Sequence, residues 1–453
     1  MNVYIENIEF WNHIVYTFET MIRCLHLKGI CYKKANTYSD DEKVVYYGRQ
    51  IPQTFKGVFI REGSLWGENY LTEKCIPILP LKRFNNIPVL FMDSSWDIPC
   101  IIRKEDYYEI NFDIVQSSFF ILTGCEEIIN RKIEFDSHSR YYVENRILYK
   151  ESFLDRPLVN IYASFLRECL VQQRFLLEKA EMYESYACIS HDVDYPYKRY
   201  KMEKVLSKLF HKSMEKRIDD GCKMIIQTEK KYGIHSSWYF MAGGNNPGYD
   251  LYYELQNEAV QRLIQSIRQK GDEVNWHYSY NAAFDRIQFQ KEYNHFVESV
   301  DVKTLSGRCH FLRYMIPETW RMFSAMKMHY DTTLASAQHE GFIYGICTPF
   351  HLFDAIKGEN LSVWEIPLIV MDGTVCTKQY RGLTPEEVID KVTNLITEVK
   401  KYNGVFSILW HNTSLRRSGW YEWEAVYMKL MELLKENFVC ETGESVIRIY
   451  EKI

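Results

Sequence analysis

The sequence lacks the features that mark membrane, secreted and nucleic-acid-binding proteins. No stretch comes near the roughly 20 apolar residues that a helix needs to span a bilayer. The first thirty residues contain no basic region followed by an apolar one, because Glu6, Glu9 and Glu19 interrupt the apolar positions, so we expect no secretory signal. The net charge is -5 and no long block of one sign occurs, which argues against nucleic acid as a partner.

The twelve cysteines form no Cys-x-x-Cys pair, and this absence argues against both a zinc ribbon and a compact disulfide scaffold. Many of them lie in apolar runs, among them Cys188 and Cys347, where cysteine behaves as a small buried hydrophobic residue. We therefore predict a reducing compartment and a cytoplasmic protein.

The sequence also has no internal repeat and no low-complexity segment. Its 453 residues exceed what one ordinary hydrophobic core covers. We predict a mixed α/β domain over residues 1–183 and a larger α/β domain over residues 184–453. Aromatic residues make up 15% of the chain, which is typical of an AT-rich genome, although a minority of the rings could line a carbohydrate groove.

From Tyr186 onward, runs typical of strands alternate with amphipathic helices, which is the pattern of parallel sheets and barrels. An apolar face that stops at Gly271 predicts a helix over residues 258–270. Thr384 and Glu387 have the spacing of a capping box and predict the start of another helix. Two further helices are predicted over 158–183 and 214–231. The predicted strands cover 187–189, 235–241, 273–276, 364–370 and 405–409.

An acidic pair ends the first of these strands. In a parallel α/β barrel the active site lies at the C-terminal ends of the strands, so polar residues there are candidates for chemistry. Asp192 and Asp194 are two positions apart, and on an extended strand both carboxylates point to the same side. One could bind a metal ion while the other accepts a proton. In isolation, an Asp-x-Asp pair is more often an ordinary turn or surface pair.

Histidines follow three later strand ends. They are His277, His310, which has Arg313 three residues on, and His411. Carboxylate and imidazole groups from different strands suit a zinc-type hydrolytic site, which needs ligands, an open position for water, a base and an acid. A lone histidine among aromatic residues is more often structural, so it is the order of these groups along the strands that favours a site.

Together these residues resemble the polysaccharide deacetylase superfamily, carbohydrate esterase family 4. The resemblance covers residues 186–453, and the Ser-His-Asp-Val-Asp run at 190–194 is similar to a bacterial subgroup that has an additional N-terminal domain. Residues 113–157 are also similar to the N-terminal region of that subgroup. The matching segments follow one another in the family's order: 189–194, 273–280, 308–320, 330–334, 364–374 and 409–412.

The resemblance implies a distorted (β/α) barrel of the polysaccharide deacetylase type and a divalent metal, usually zinc. It implies Asp192 as the general base and Asp194 and His277 as metal ligands. The family's second histidine normally lies four residues after the first, where this chain has Asn281. The preferred third ligand is then His310, near the family's arginine motif, and the alternative is Asn281 through a weaker oxygen.

The remaining roles also come from the resemblance. His411 is expected to protonate the leaving amine, and Arg313 is expected to orient the base. Leu409 is expected to contact the acetyl methyl group, and Asp331 to form part of the groove wall. The predicted substrate pocket comprises Leu409, Trp410, Asp331 and Tyr280.

The implied activity is the removal of an N-acetyl group from a sugar or glycan intermediate in the cytoplasm, which releases an amine and acetate. Two other functions stay open. A barrel that has lost efficient catalysis could bind a glycan or act as a scaffold, which Asn281 favours, or the enzyme could be an amidase for a non-sugar substrate. The expected partner is a carbohydrate or another N-acetylated small molecule, and the oligomeric state is not predicted.

Overall fold

Two β-sheets organise the chain, the first built from residues before 111 and the second from residues after 185. They belong to a computed structural model that describes residues 1–39, 43–92, 99–131, 135–175, 183–197, 217–302, 304–415 and 421–453. Among the described residues, no helix has the length and apolar character that crossing a bilayer requires.

The first sheet contains six short strands within the described ranges. They are β1 (Asn2–Ile5), β2 (Cys31–Lys34), β3 (Val44–Gly48), β4 (Gly57–Arg61), β7 (Ile101–Arg103) and β8 (Tyr107–Ile110), with β5 (Lys82–Phe84) and β6 (Ile87–Val89) in a separate hairpin. The order is β2-β1-β3-β4-β8-β7, parallel except for the last pair. Val45 and Tyr47 of β3 enter the main core, while Val44 and Tyr46 pack into a second cluster on the other face. Both faces of this sheet are therefore covered, as is usual for parallel strands.

The second sheet contains ten strands within the described ranges. They are β9 (Tyr186–Val193), β10 (Ser236–Met241), β11 (Glu273–Tyr278), β12 (Ser306–Cys309), β13 (Tyr330–Asp331), β14 (Phe350–Asp354), β15 (Glu359–Glu365), β16 (Val370–Met371), β17 (Val405–Leu409) and β18 (Val439–Cys440). The order is β14-β15-β13-β12-β11-β10-β9-β17-β16, with β18 beside β9. All pairs are parallel except β14 with β15. The predicted alternation of strands and helices is confirmed.

Chain connectivity forces this second sheet to curl. Strands β15 and β16 are seven positions apart in the order, which is about 34 Å in a flat sheet. The chain covers the distance between them in five residues, and these reach at most about 18 Å. The sheet must therefore bend toward a barrel so that its two ends approach each other.

The segment between Glu365 and Val370 bridges the two ends of the curled sheet. The backbone N–H of Leu368 donates to Leu334 beyond β13, and that of Ile369 donates to Ser407 in β17. The continuous strand predicted over 364–370 is therefore wrong. Pro367 has no N–H for a sheet ladder, and the segment crosses from one end of the sheet to the other.

Helices cover both sheets. They are α1 (Trp11–Cys24), α2 (Ile114–Leu122), α3 (Cys125–Ile129), α4 (Ile147–Lys150), α5 (Leu158–Gln172), α6 (Asp220–Tyr232), α7 (Glu258–Lys270), α8 (Arg286–Ser299), α9 (Glu318–Ala325), α10 (Asp372–Cys376), α11 (Pro385–Lys401), α12 (Tyr421–Asn437) and α13 (Gly443–Tyr450). The prediction for α7 is confirmed, with Gly271 in the left-handed conformation at its end, and so is the capping box of α11. The ends of two predicted helices, at 176–182 and 214–216, lie outside the described residues.

Helix α1 joins the N-terminal part to the second sheet. The Tyr16 hydroxyl donates to the backbone oxygen of His351 in β14, and the Tyr16 ring stacks on Phe353 with centroids 4.5 Å apart. One apolar cluster runs without a break from β1 to β18. The division of the chain at residue 183 stays a prediction.

Candidate metal centre

Strand β9 presents its polar residues alternately to the two sides of the sheet. Asp192 lies in the strand and Asp194 directly follows it, so both carboxylates point to one side. Both lie near His277 of β11, whose Nε2 is 3.7 Å from Asp192 and 3.3 Å from Asp194. His191 lies between the two aspartates in sequence and points to the opposite side, where it contacts Glu229.

Asp194, His277 and His310 bring three potential ligand atoms together. Nε2 of His277 is 3.1 Å from Nδ1 of His310 and 3.3 Å from Oδ1 of Asp194, and that oxygen is 3.5 Å from Nδ1 of His310. Ligand atoms that lie about 2.0–2.1 Å from a tetrahedral zinc ion are about 3.3 Å from one another. The three atoms thus have the spacing of one face of such a tetrahedron.

Backbone carbonyl groups determine which nitrogen of each ring faces this cluster. Nδ1 of His277 lies 2.9 Å from the carbonyl oxygen of Arg308, and Nε2 of His310 lies 3.1 Å from that of Tyr249. Because a carbonyl oxygen only accepts, these two nitrogens carry the protons. In neutral rings, the nitrogens that face each other therefore both have lone pairs. A shared cation stabilises this arrangement, which is typical of metal-bound histidines.

Asp194 carries the negative charge of the cluster. Its Oδ1 is buried, and no hydrogen-bond donor among the described residues reaches it with good geometry. Burial raises the pKa of Asp194, but attraction to His310 and His277 outweighs that effect and holds the pKa well below its usual range. A buried carboxylate oxygen without a partner is unfavourable, so these residues fit a divalent cation.

Arg308 of β12 holds Asp192. Its Nη1 donates to Oδ1 of Asp192 at 2.8 Å, and its Nη2 donates to the Ser190 hydroxyl at 2.9 Å. Burial raises the pKa of Asp192, but the opposing effects of Arg308, and then of the neighbouring histidines, together bring the pKa below its usual value. The carboxylate is therefore ionised, with Oδ1 fixed by Arg308 and Oδ2 facing His277.

The contact with Asp192 that was expected of Arg313 is made by Arg308 instead. Arg313 lies beyond the turn that follows His310 and points toward the N-terminal part of the chain. Its Nε donates to the carbonyl oxygen of His138 at 2.7 Å, its Nη1 donates to that of Tyr280, and its guanidinium lies 3.5 Å from the centre of the Tyr280 ring.

His411 follows β17 and lies across the site from His277. Its Nδ1 is 2.7 Å from Oδ1 of Asp372, and its backbone N–H donates to the same carboxylate at 3.0 Å. Its Nε2 is 3.8 Å from Asp192 and 3.9 Å from Asp194. Burial lowers the pKa of His411, but attraction to Asp372 and the other two aspartates raises it to about 10. His411 is therefore protonated at neutral pH.

The backbone directly after His310 is strained. Phe311 and Leu312 have φ angles of 61° and 53°, a left-handed region that costs a residue with a side chain roughly 1–2 kcal/mol. Strain of this kind is concentrated at functional sites. The turn holds the His310 ring edge-on to the His277 ring, with centroids 5.0 Å apart.

A cavity of about 170 Å³ opens beside the cluster and is called the catalytic cavity below. Its polar side is formed by Asp192, Asp194, His310 and His411. The rest of its wall includes Phe311, Leu312, Ala337, Met371, Tyr380 and, from the N-terminal part of the chain, Arg140.

Two residues predicted for the pocket lie behind its wall. Leu409 is fully buried in an apolar cluster with Leu312 and Met371, so it supports the cavity from behind. Trp410 is also fully buried, and its ring packs on Tyr427 on the other side of β17. Successive residues of a strand point to opposite faces. Because Leu409 points toward the cavity wall, its neighbour Trp410 points away from the cavity.

The other two predicted pocket residues are held in hydrogen-bonded positions away from the cavity. Asp331 is fully buried within the sheet, accepts a hydrogen bond from Tyr278 and caps the backbone of Thr333 at 2.9 Å. Tyr280 lies between Arg313 and the ring of Tyr249, with which it stacks at 4.2 Å. Neither residue lines the catalytic cavity.

Asn281, the alternative third ligand, points toward another loop. Its Nδ2 donates to Oδ1 of Asn245 at 2.7 Å. The third corner of the ligand triangle is formed by His310 instead.

Sequence reasoning missed Arg308, Asp372, Tyr380 and Arg140. Asp372 had a usable signal, because it is a carboxylate just after a predicted strand. Arg308 lay inside a segment already singled out, but nothing local distinguishes it from Arg313. Arg140 contacts the backbone oxygen of Phe311 from 171 positions away, and no local pattern could have revealed that contact.

Comparisons with known proteins give limited matches. Residues 1–175 match a family of unknown function, DUF7033. A search of curated proteins returns no match to this sequence.

Several solved structures resemble part of the chain at low similarity. A Mycobacterium smegmatis protein assigned as a polysaccharide deacetylase is 13% identical, with a TM-score of 0.40 over 61% of this chain and 93% of that one. The allantoinase Puue is 14% identical, with a TM-score of 0.41 over 60% and 91%. A CE4 family pseudoenzyme from Bacillus anthracis is 12% identical, with a TM-score of 0.33 over 58% and 66%. Likeness at this level assigns no role to any residue of this chain.

Proposed function

We propose that the chain is a metal-dependent hydrolase that removes an N-acetyl group from a sugar or glycan. The observation that carries this proposal is the triangle of ligand atoms in Asp194, His277 and His310, with sides of 3.1, 3.3 and 3.5 Å, directly beside an ionised Asp192 and a protonated His411. An acid, a base and a ligand set around one small cavity are the parts that metal-assisted amide hydrolysis needs.

Asp194, His277 and His310 would hold the divalent cation, and zinc is the expected ion because its preferred ligands are imidazole and carboxylate. When bound, the cation supplies Lewis acidity that polarises the substrate carbonyl and activates water. His310 is suited to its part because burial lowers its pKa, which favours the neutral ring that a ligand requires.

Asp192 is the proposed general base. The Arg308 guanidinium fixes its Oδ1, which leaves Oδ2 to accept a proton from the attacking water. That oxygen lies 3.7 Å from His277 and 3.8 Å from His411, so it faces the space between the ligand set and the acid. Arg308 is a positioning residue, since it acts through Asp192.

His411 is the proposed general acid. Asp372 accepts a hydrogen bond from Nδ1, which leaves the proton on Nε2 directed toward the aspartates and the cavity. Transfer of that proton to the leaving nitrogen completes cleavage of the carbon–nitrogen bond and releases amine and acetate.

The apolar wall of the catalytic cavity suits the acetyl methyl group. Leu312, Ala337 and Met371 line the cavity, and Leu409 packs behind Leu312 and Met371 in one apolar cluster. A cavity of about 170 Å³ is large enough for an acetamide group and too small for a whole glycan.

The proposal includes a cytoplasmic setting. It is supported by the twelve cysteines, all of which are free thiols and ten of which are buried, as is usual where the environment keeps thiols reduced.

Metal analysis tests the proposal. We expect the purified protein to contain about one equivalent of a divalent metal, and Asp194→Ala and His277→Ala to lose it. His295→Ala is a matched control, because the His295 ring also bonds a backbone carbonyl but lies outside the cluster. Acetate release from N-acetylhexosamines should fall about 10²- to 10⁴-fold in Asp192→Asn and His411→Gln.

A parent protein that binds no metal would overturn the proposal and favour a glycan-binding barrel without catalysis. Parental rates in Asp192→Asn or His411→Gln would contradict the roles assigned to those residues. Release of acetate from non-sugar amides alone would redirect the proposal to an amidase.

A further inference from the structure

A second cavity, of about 360 Å³, opens next to the catalytic cavity and is called the distal groove below. One wall is formed by residues of the segment 136–144, from the N-terminal part of the chain, and the other by Gln338, Gln379 and Tyr380. Its volume lies in the range of roughly 300–1,000 Å³ that is usual for ligand sites.

The distal groove adjoins the catalytic cavity. Arg140 and Tyr380 line both of them. Nη2 of Arg140 donates to the Tyr380 hydroxyl at 3.1 Å, and Nη1 donates to the backbone oxygen of Phe311 at 3.2 Å. A substrate whose acetamide group occupies the catalytic cavity would reach the groove by passing this pair of side chains.

The N-terminal wall of the groove is firmly attached to the second sheet. Asp136 accepts hydrogen bonds from the backbone N–H groups of His138 and Arg140 at 2.8 and 2.9 Å, which shapes the turn. Arg313 holds the carbonyl oxygen of His138, and Nδ1 of His138 lies 3.1 Å from the Tyr280 hydroxyl. The position of the wall is thus set by the same turn that carries His310.

The chemistry of the groove is polar, with one ion pair and one exposed carboxylate, that of Glu144. Arg140 is the one cationic side chain among its lining residues within the described ranges, and Asp136 neutralises it through contacts of 2.7 and 2.8 Å. Phosphate groups need free cations or backbone N–H clusters, so the groove does not suit a nucleotide or a diphosphate. Hydroxyl, carboxamide and aromatic groups, such as those of Tyr142 and Gln379, suit the hydroxyl groups and flat faces of a sugar.

We propose that the distal groove binds a neutral sugar unit adjacent to the N-acetylated one, so that the N-terminal part of the chain selects oligosaccharides over monosaccharides. This inference rests on the proposed function, because it takes the catalytic cavity as the place where the acetamide group binds. It assigns to residues 136–144 a role in substrate choice.

The experiment compares an N-acetylhexosamine with the corresponding linear trisaccharide as substrates. We expect the parent protein to have a kcat/KM at least about tenfold higher for the trisaccharide. The double variant Tyr142→Ala/Gln379→Ala should lose that preference while its kcat/KM for the monosaccharide changes less than about twofold. Tyr149→Ala is a matched control, because Tyr149 is 37% exposed, as against 36% for Tyr142, and lies outside the groove.

Binding measurements separate this inference from the proposed function. Calorimetric titration of Asp192→Asn with the trisaccharide needs no turnover, and the two groove substitutions should weaken that binding about tenfold. If acetate is released but the parent shows equal kcat/KM for both substrates, the groove proposal fails while the proposed function stands. If no acetate is released but trisaccharide binding depends on the groove, the proposed function fails and the groove stands.

A charged substrate gives a further check. A nucleotide-linked N-acetylhexosamine should be no better a substrate than the free monosaccharide. If it is preferred to the trisaccharide, and if the double variant removes that preference, then the groove binds a phosphate-bearing ligand and the inference is overturned.

Discussion

Two buried polar clusters lie on opposite faces of β9 and differ in how their charges are balanced. The rear cluster consists of His191, Glu229, Lys270 and Asp272. His191 lies 2.7 Å from Glu229, and Lys270 lies 2.9 Å from Glu229 and 2.7 Å from Asp272. Every charge in the rear cluster therefore has a partner of opposite sign.

The front cluster, which consists of Asp194, His277 and His310, is not balanced in this way. Its two imidazoles donate to backbone carbonyls, so in neutral rings their remaining nitrogens face Asp194 as acceptors, and Oδ1 of Asp194 makes no hydrogen bond with a described residue. Alternate residues of one strand thus serve two purposes. On the rear face, paired charges stabilise the sheet. On the front face, the residues are arranged to bind a cation and contribute less to stability without it.

The largest expected effect is on stability, and it tests whether the two clusters differ in the way described. Glu229→Ala should lower the free energy of unfolding by about 3–5 kcal/mol, because it leaves Lys270 and His191 buried with fewer partners. Asp194→Ala should cost the metal-free protein less, about 1–2 kcal/mol, since the attraction of Asp194 to the neighbouring histidines is partly offset by a buried Oδ1 without a donor. Urea unfolding in the presence of a chelator measures both.

When zinc replaces the chelator, Asp194→Ala should become the variant that is less stable relative to the parent. Zinc should stabilise the parent and Glu229→Ala, and it should leave Asp194→Ala unchanged, because only the front cluster binds the ion. Equal losses of stability in the two metal-free variants would show that the clusters do not differ in the way described.

The next effect is on kcat and compares the two aspartates of the front face, since Asp192 is held by an arginine and Asp194 is not. Arg308→Lys should lower kcat for acetate release about 10- to 100-fold, because a lysine cannot reach Asp192 and Ser190 together as the guanidinium does. The metal content should stay at the parental level. Arg313→Lys is the matched control and should leave kcat within about threefold of the parent.

A larger loss of kcat in Arg313→Lys than in Arg308→Lys would restore the role that the sequence predicts for Arg313. Circular dichroism of both variants checks that neither substitution unfolds the protein. A pH profile of kcat adds a readout specific to positioning, since loss of the guanidinium hydrogen bond to Asp192 should raise the pKa of Asp192 and move the acidic limb to higher pH.

Local patterns were enough to predict helices α7 and α11 and the polar strand ends. Helix α7 has its own apolar face and its own terminating Gly271, and α11 has its own capping box. The side on which Asp192 and Asp194 lie follows from the two-residue period of a strand. These features depend on residues that are neighbours in sequence, so no knowledge of the tertiary structure is needed.

The rest depends on distant pairing and could not be predicted. Which arginine reaches Asp192 is decided by the pairing of β12 in the sheet and by the left-handed turn at Phe311, neither of which has a local signature. The cavity wall contributed by Arg140 depends on contacts between segments about 170 residues apart. The curl of the second sheet is likewise visible only once the strand order is known.

The smallest expected effect concerns a third polar cluster, which is partly exposed and serves as a reference for the two buried ones. His329 lies between Glu444 and Glu451, at 2.6 and 2.9 Å, and its hydrogen bond with Glu444 is the main cause that raises its pKa to about 9. A folded-state pKa above the unfolded value of about 6.5 means that the protonated ring stabilises the fold. This contribution is complete below about pH 6.5 and is lost as the pH rises through about 9.

The stabilisation should be roughly 1 kcal/mol, because solvent screens a partly exposed pair. The difference in unfolding free energy between the parent and His329→Gln should therefore be largest near pH 6 and should vanish near pH 10. Urea unfolding at both pH values measures it. A difference that grows with pH would contradict the sign of the shift and would mean that His329 is neutral in the folded protein.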